Sequence, residues 1–173
     1  MKEEKALNIR FQEIIGQHKG ILLKVARTYC RNEEDRQDLI QEMMIQIWKS
    51  LPRYNDDFAI TTWLYRIGLN VAISFYRKNK QIHNHRIPLE FGHRPAEEEM
   101  NIEKQNQFIL LEQFISELNE FDKALILLYL EDKSHAETAA VLGLSVSNVG
   151  TKLGRIKEKL RNKFSQFKKY NYE

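Results

Sequence analysis

The 173-residue sequence is poor in the residues that break helices and in the one that cross-links chains. It holds 7 glycines and 3 prolines. That excludes a collagen-like repeat and a Gly/Pro-rich disordered chain. Its single cysteine, Cys30, excludes a disulfide framework and a Cys-rich zinc site, and points to a reducing compartment. No apolar run approaches the ~20 residues that cross a bilayer. The opening MKEEKALNIR has charge but lacks the apolar stretch of a signal peptide. Gly-rich phosphate loops and nucleophile elbows are missing too. These absences predict a soluble cytoplasmic chain with no membrane insertion of its own, no cofactor, no metal and no catalytic residues. What is present supports folding: 42% of residues are hydrophobic and 10% aromatic, enough for a core. The length fits one domain or two small ones.

The net charge of +3 hides an uneven distribution. Residues 1–78 hold 13 basic and 10 acidic groups, and residues 79–104 hold 4 and 5. Residues 105–144 are acidic, with 2 against 7, whereas residues 145–173 are basic, with 8 against 2. A basic end after an acidic stretch is either a surface for an anionic partner or a solvated helix face.

Periodicity predicts helices throughout. Leu39, Ile40, Met43, Met44, Ile47, Trp48 and Leu51 form one helical stripe over residues 33–51. Asn32 stands at the N-cap, acids fill the first turn and Pro52 ends the segment. Residues 5–31 predict a further helix or helix pair, with Gly16 and Gly20 as points of bending. Residues 61–78 are apolar almost all round, apart from a stripe of Arg66, Asn70, Ser74 and Arg77. Residues 106–118 and 120–131 read as two more helices. Between the halves, residues 80–104 contain Pro88, Pro95, Gly92 and three of the five histidines without sustained period. This stretch predicts a flexible linker. No segment alternates as a strand, so the expected fold is all-α: two small helical domains, residues 1–79 and 105–173.

A chemically informative pattern lies near the C-terminus. Ser134-His135-Ala136-Glu137 is a capping box that starts a short helix ending near Leu142, with Gly143 as its C′ residue. Ser145 then caps a long helix whose apolar positions run from Val146 to Phe167. This is the helix-turn-helix pattern, which presents the start of its second helix to the DNA major groove. Ser145, Ser147, Asn148, Thr151, Lys152 and Arg155 supply hydroxyls, an amide and cations suited to base edges and phosphates. Gly150 and Gly154 share one face of this helix. They either admit a close neighbour or loosen the helix.

Taken together, three stretches resemble the extracytoplasmic-function class of bacterial RNA polymerase sigma factors. DRQDLIQEMMIQIW, Asp35–Trp48, is similar to the region-two signature of that family. TTWLYRIGLNVAISFYRK, Thr61–Lys78, looks like its strand-opening segment. Leu118–Leu160 resembles its region four. The resemblance covers nearly the whole chain and implies a subunit that binds core RNA polymerase, directs it to promoter DNA and starts strand opening. It implies that Asp35, Asp38, Gln41 and Glu42 dock on the polymerase. Asn55, Asp56, Phe58, Thr61, Thr62, Trp63, Arg66, Asn70, Arg77 and Lys78 would then meet the minus-ten element. Phe58, Trp63 and the neighbouring Tyr65 would supply stacking surfaces or build the pocket, although Trp63 reads equally as a buried anchor. The region-four residues Ser145, Ser147, Asn148, Thr151, Lys152 and Arg155 would read the minus-thirty-five element. The resemblance also implies control by an anti-sigma factor. Departures from the family pattern fall at Thr138, Asn148, Gly150 and Gly154, where it often has isoleucine, threonine, a basic residue and an apolar or aromatic residue, and a proline common near Asn119 is missing. They leave the fold intact and bear on which minus-thirty-five sequence is read.

Two other readings compete. A dimeric helix-turn-helix repressor would explain the C-terminal half but not Asp35–Trp48 or Thr61–Lys78. A metal site at His83, His85 and His93 would need a ligand spacing that the sequence lacks.

Overall fold

A computed structural model describes residues 2–82 and 102–172. They form seven α-helices and one 3₁₀ turn, with no strand among the described residues. The all-α expectation is met. The chain divides into two compact units, the first within Met1–Phe91 and the second within Gly92–Glu173. Most of the expected linker lies outside the described residues, as do His83, His85, Pro88, Gly92, His93 and Pro95.

The first unit comprises α1 (Lys2–Tyr29), α2 (Glu33–Ser50), the 3₁₀ turn Leu51–Arg53 and α3 (Ile60–Ile82). The three helices pack pairwise around Leu22, Val25, Ala26, Leu39, Met43, Ile47, Leu51, Leu64, Tyr65, Leu69 and Ala72. The first helix is continuous; Gly16 and Gly20 lie within it, with open space where a Cβ would point. Gly68 has a packing role instead. A Cβ there would lie 3.3 Å from Met43 Sδ and 3.8 Å from Val25 Cγ2, so its absence lets three helices meet closely.

The turn between α1 and α2 is fixed by local hydrogen bonds. Asn32 Oδ1 accepts from the Asp35 N–H at 2.7 Å, capping α2. Arg36 donates to the carbonyls of Cys30 at 3.1 Å and Arg31 at 3.0 Å, satisfying groups that the end of α1 leaves open. Pro52 sits in the 3₁₀ turn, where its missing N–H costs little.

The second unit comprises α4 (Ile102–Ser116), α5 (Glu120–Leu130), α6 (His135–Leu142) and α7 (Val146–Tyr172). Its core joins Phe114, Leu118, Leu125, Ile126, Ala139, Val149, Leu153, Ile156 and Leu160. Asn119 caps α5 by accepting from the N–H groups of Phe121 and Asp122. The Ser134–Glu137 capping box is fully formed. Gly143 adopts φ 67°, the left-handed setting that ends α6, and the Leu144 N–H donates back to the Ala139 carbonyl at 3.1 Å. Ser145 Oγ accepts from the Asn148 N–H at 3.2 Å and opens α7.

Candidate nucleic-acid interface

Three surfaces hold the candidate residues. The first is the outer face of α2, where Asp38, Gln41 and Glu42 are exposed. Asp35 is only half-exposed, and its carboxylate accepts from Asn32 Nδ2 at 2.7 Å. It therefore belongs first to the cap of its own helix, which leaves Asp38 and Glu42 as the more available acids. Glu42 also accepts from Gln46 Nε2 at 3.2 Å. Trp48 faces inward enough to meet Phe11 edge-on, with ring centroids 5.2 Å apart.

The second surface is the loop 54–59 with the exposed stripe of α3. Asn55, Asp56 and Phe58 are exposed, Phe58 at 48%. Tyr54 organises the loop. Its hydroxyl donates to the Phe58 carbonyl at 2.7 Å, and its ring lies 4.8 Å from that of Trp63. Burial in this loop and the neighbouring Asp56 charge raise the Tyr54 pKa, partly countered by Arg10. Asp56 adopts φ 60°, a backbone setting that costs most side chains roughly 1–2 kcal/mol and that aspartate tolerates better. Asn55 donates to the Asp57 carboxylate across the turn.

Arg10 of α1 reaches the same loop. Its guanidinium lies 5.6 Å from the Tyr54 ring centroid and 3.8 Å from Asp56 Oδ1. Each contact at such an exposed position contributes about 0.5–1 kcal/mol at most. Together they are comparable with the strain at Asp56.

Arg66, Asn70, Ser74, Arg77 and Lys78 are exposed along α3, so the polar stripe read from the sequence is a continuous surface. Thr61 and Trp63 are half-buried. Thr62 departs from the expectation. It is only 6% exposed, and Tyr65, at 2%, belongs to the core of the unit rather than to a stacking surface. A threonine at the start of a helix reads as polar and outward in sequence, but its methyl group suits a small apolar niche equally well.

The third surface is the start of α7. Ser145, Ser147, Asn148, Thr151 and Arg155 are exposed together. Thr151 Oγ1 donates to the Ser147 carbonyl at 3.1 Å, which fixes its rotamer and leaves its oxygen free to accept. Lys152 is half-buried, with Nζ 5.7 Å from the Phe121 ring centroid. Lys157 Nζ stands 3.6 Å from the ring of Tyr129. Both cations lie along α5, at the edge of the recognition face. Lys163 forms an ion pair with Glu117, in the turn that follows α4. A Cβ at Gly150 would lie 3.5 Å from the His135 ring, an ordinary contact, and one at Gly154 would meet open space. Neither glycine is required by packing among the described residues.

Among the described residues, no group of three His, Cys, Asp or Glu side chains is placed to hold a metal ion. No described helix is long and apolar enough to cross a membrane. The sequence reading missed Arg36, Arg10 and Tyr54 as organisers of these surfaces. A tyrosine directly before a polar turn was the only signal for the last.

A two-unit helical fold whose second unit is a capped helix-turn-helix defines a DNA-binding class. Comparison with known proteins narrows it. The sequence matches Sigma-70 region 2 over residues 14–82 and Sigma-70 region 4 over residues 108–160. It is 30% identical over 160 residues to the RNA polymerase sigma factor CnrH of Cupriavidus metallidurans, covering 87% of this chain and 84% of that one. It is 26% identical to the ECF RNA polymerase sigma factor SigE of Mycolicibacterium smegmatis, covering 88% of this chain and 60% of that one. The solved structure of CnrH in complex with the cytosolic domain of CnrY superposes with a TM-score of 0.66 at 25% identity, covering 90% of this chain and 88% of that one. The chain belongs to the RNA polymerase sigma factors, in their extracytoplasmic-function class. It is a transcription initiation factor that directs RNA polymerase to promoters.

Proposed function

We infer that the three surfaces divide the work of initiation. Residues 1–79 act as region two, residues 105–173 as region four, and residues 80–104 join them. Asp38, Gln41 and Glu42 dock on core polymerase, with Asp35 holding the start of their helix. The loop Asn55–Phe58 and the α3 stripe meet the minus-ten element. Strand opening costs base unstacking, and Phe58 offers an aromatic face to recover part of it. Arg66, Arg77 and Lys78 hold phosphates, and Asn70 offers an amide to a base. Ser145, Ser147, Asn148, Thr151 and Arg155 enter the major groove at minus-thirty-five, flanked by Lys152. The synthesis chemistry belongs to the polymerase, and the chain itself is not an enzyme. It works in the cytoplasm under control of an anti-sigma factor; the CnrH likeness supports that partner class.

The observation that carries this reading is the open, side-by-side exposure of Ser147, Asn148, Thr151 and Arg155 on a doubly capped helix-turn-helix, in a chain that also bares Asp38 and Glu42 on a separate unit. The test is transcription with bacterial core polymerase on a genomic DNA library, with start sites mapped. Asp38→Arg should lower core affinity by roughly tenfold or more, because it places a cation in an acidic docking face. Arg155→Ala should cost about 1–3 kcal/mol in minus-thirty-five recognition and leave core affinity unchanged. Equal core affinity for wild type and Asp38→Arg would remove the docking assignment.

A further inference from the structure

Arg10 lies outside both matched segments and outside every motif read from the sequence. Its contacts fall on a loop more than forty residues further along the chain. One guanidinium touches that loop at two points, the Tyr54 ring at 5.6 Å and Asp56 Oδ1 at 3.8 Å. Tyr54 passes the restraint on. Its hydroxyl holds the Phe58 carbonyl at 2.7 Å, and its ring holds Trp63 at the start of α3. The loop is thus pinned near its beginning, at its left-handed residue and at its end. The side chains exposed between these points are Asn55, Asp57 and Phe58, with Asp56 also exposed but paired to Arg10.

We propose that Arg10 is a positioning residue for minus-ten recognition, one that sets how strictly the loop discriminates between bases. This rests on the reading of the loop as the minus-ten reader. Two effects combine. A loop ordered before binding accepts fewer base shapes and loses less freedom when it binds. The Arg10 cation also offsets the Asp56 carboxylate, which would otherwise repel a phosphate backbone arriving at this surface. Arg10 is exposed, and its ion pair and its ring contact both fall on the loop, so its removal acts first on the loop rather than on the buried core.

The experiment uses holoenzyme assembled from bacterial core polymerase and full-length variants. A DNA pool randomised in both promoter elements is first selected with wild type. The minus-ten element of a recovered promoter is then randomised again, and open complexes are sequenced. Arg10→Ala should keep wild-type core affinity and thermal midpoint. Its ratio of preferred to next-best base should fall roughly 3- to 10-fold, the scale of a lost contact near 1 kcal/mol. Arg10→Lys keeps the charge but not the planar face over Tyr54, and should restore part of the ratio. Asn55→Ala and Phe58→Ala, which alter the loop itself, run in parallel. If they change base preference while Arg10→Ala does not, the proposal for Arg10 is overturned and the loop reading stands. If none of the three changes it, the loop reading falls and the role of Arg10 falls with it. A lower midpoint for Arg10→Ala with unchanged base preference would make Arg10 merely structural and likewise overturn the proposal.

Discussion

The loop 54–59 and the start of α7 are held in shape by opposite means. The α7 surface is fixed by local chemistry. The capping box, Gly143 and Ser145 each act within five residues of sequence, and each satisfies helix-end groups that would otherwise be bare. The loop is fixed from a distance by Arg10 of α1 and by Tyr54 packed on Trp63. Local constraints form as soon as the helices form. Distant ones need the whole first unit assembled. The α7 surface should therefore be stiff and insensitive to changes elsewhere, whereas the loop should answer to surface substitutions on another helix.

The widest separation between the units comes from the core. Leu125 is fully buried in the second unit, against a cluster that includes Val149, Leu153 and Ile156 of α7. Leu125→Ala should destabilise that unit by about 2–5 kcal/mol, through lost burial and the cavity left behind. Amide hydrogen exchange should show weaker protection over α4–α7 and unchanged protection over α1–α3. Loss of protection in both units together would mean that they do not fold independently.

A smaller effect isolates the local caps. Ser134→Ala removes the hydroxyl that accepts from the Glu137 N–H at 3.1 Å, and should cost about 1 kcal/mol. The same box has a pH signature. The Ser134 N–H donates to Glu137 at 2.9 Å, and this bond, with the Ser134 hydroxyl and Lys133 adding to it, lowers the Glu137 pKa below the ordinary glutamate value. A depressed carboxylate contributes stability above its unfolded pKa and loses it as pH falls through the folded one. The second unit should therefore weaken on acidification from the ordinary glutamate range downward. Glu137→Gln should flatten that dependence, as followed by thermal midpoints against pH. Among the described residues of the first unit, α2 is capped by Asn32 without such a box, so the midpoint of that unit should not share the change.

The same contrast explains what the sequence could and could not disclose. Asn32, the Ser134–Glu137 box, Gly143 and Ser145 were legible because their partners lie a few residues away and their residue types have one efficient use there. The polar stripe of α3 was legible because period alone places Arg66, Asn70, Ser74 and Arg77 on one side. The continuity of α1 was not. Glycine lowers helix propensity, but tertiary packing of the apolar face overrides it. Arg10 was invisible because nothing near it in sequence announces a partner beyond residue 50. Thr62, Lys152 and Asp35 share another cause. Polar residues are assigned to the open surface by default, and here they are drawn into a packed niche, onto an aromatic ring and into a cap.

The finest test lies at Thr138, on the buried side of α6. It is 1% exposed, and its Oγ1 has no hydrogen-bond partner among the described residues. A buried hydroxyl without a partner costs about 1–3 kcal/mol of desolvation. Valine has nearly the same shape and removes the oxygen. Thr138→Val should therefore stabilise the second unit by about 1 kcal/mol, a rise of about 4–8 °C in Tm for a domain of this size. The side chain points into the core, so minus-thirty-five preference should stay at the wild-type pattern. If the recognition helix is held stiff by its caps, stability and base preference must move independently here. A change in base preference with Thr138→Val would show that the α7 surface also answers to distant packing, and the contrast with the loop would collapse.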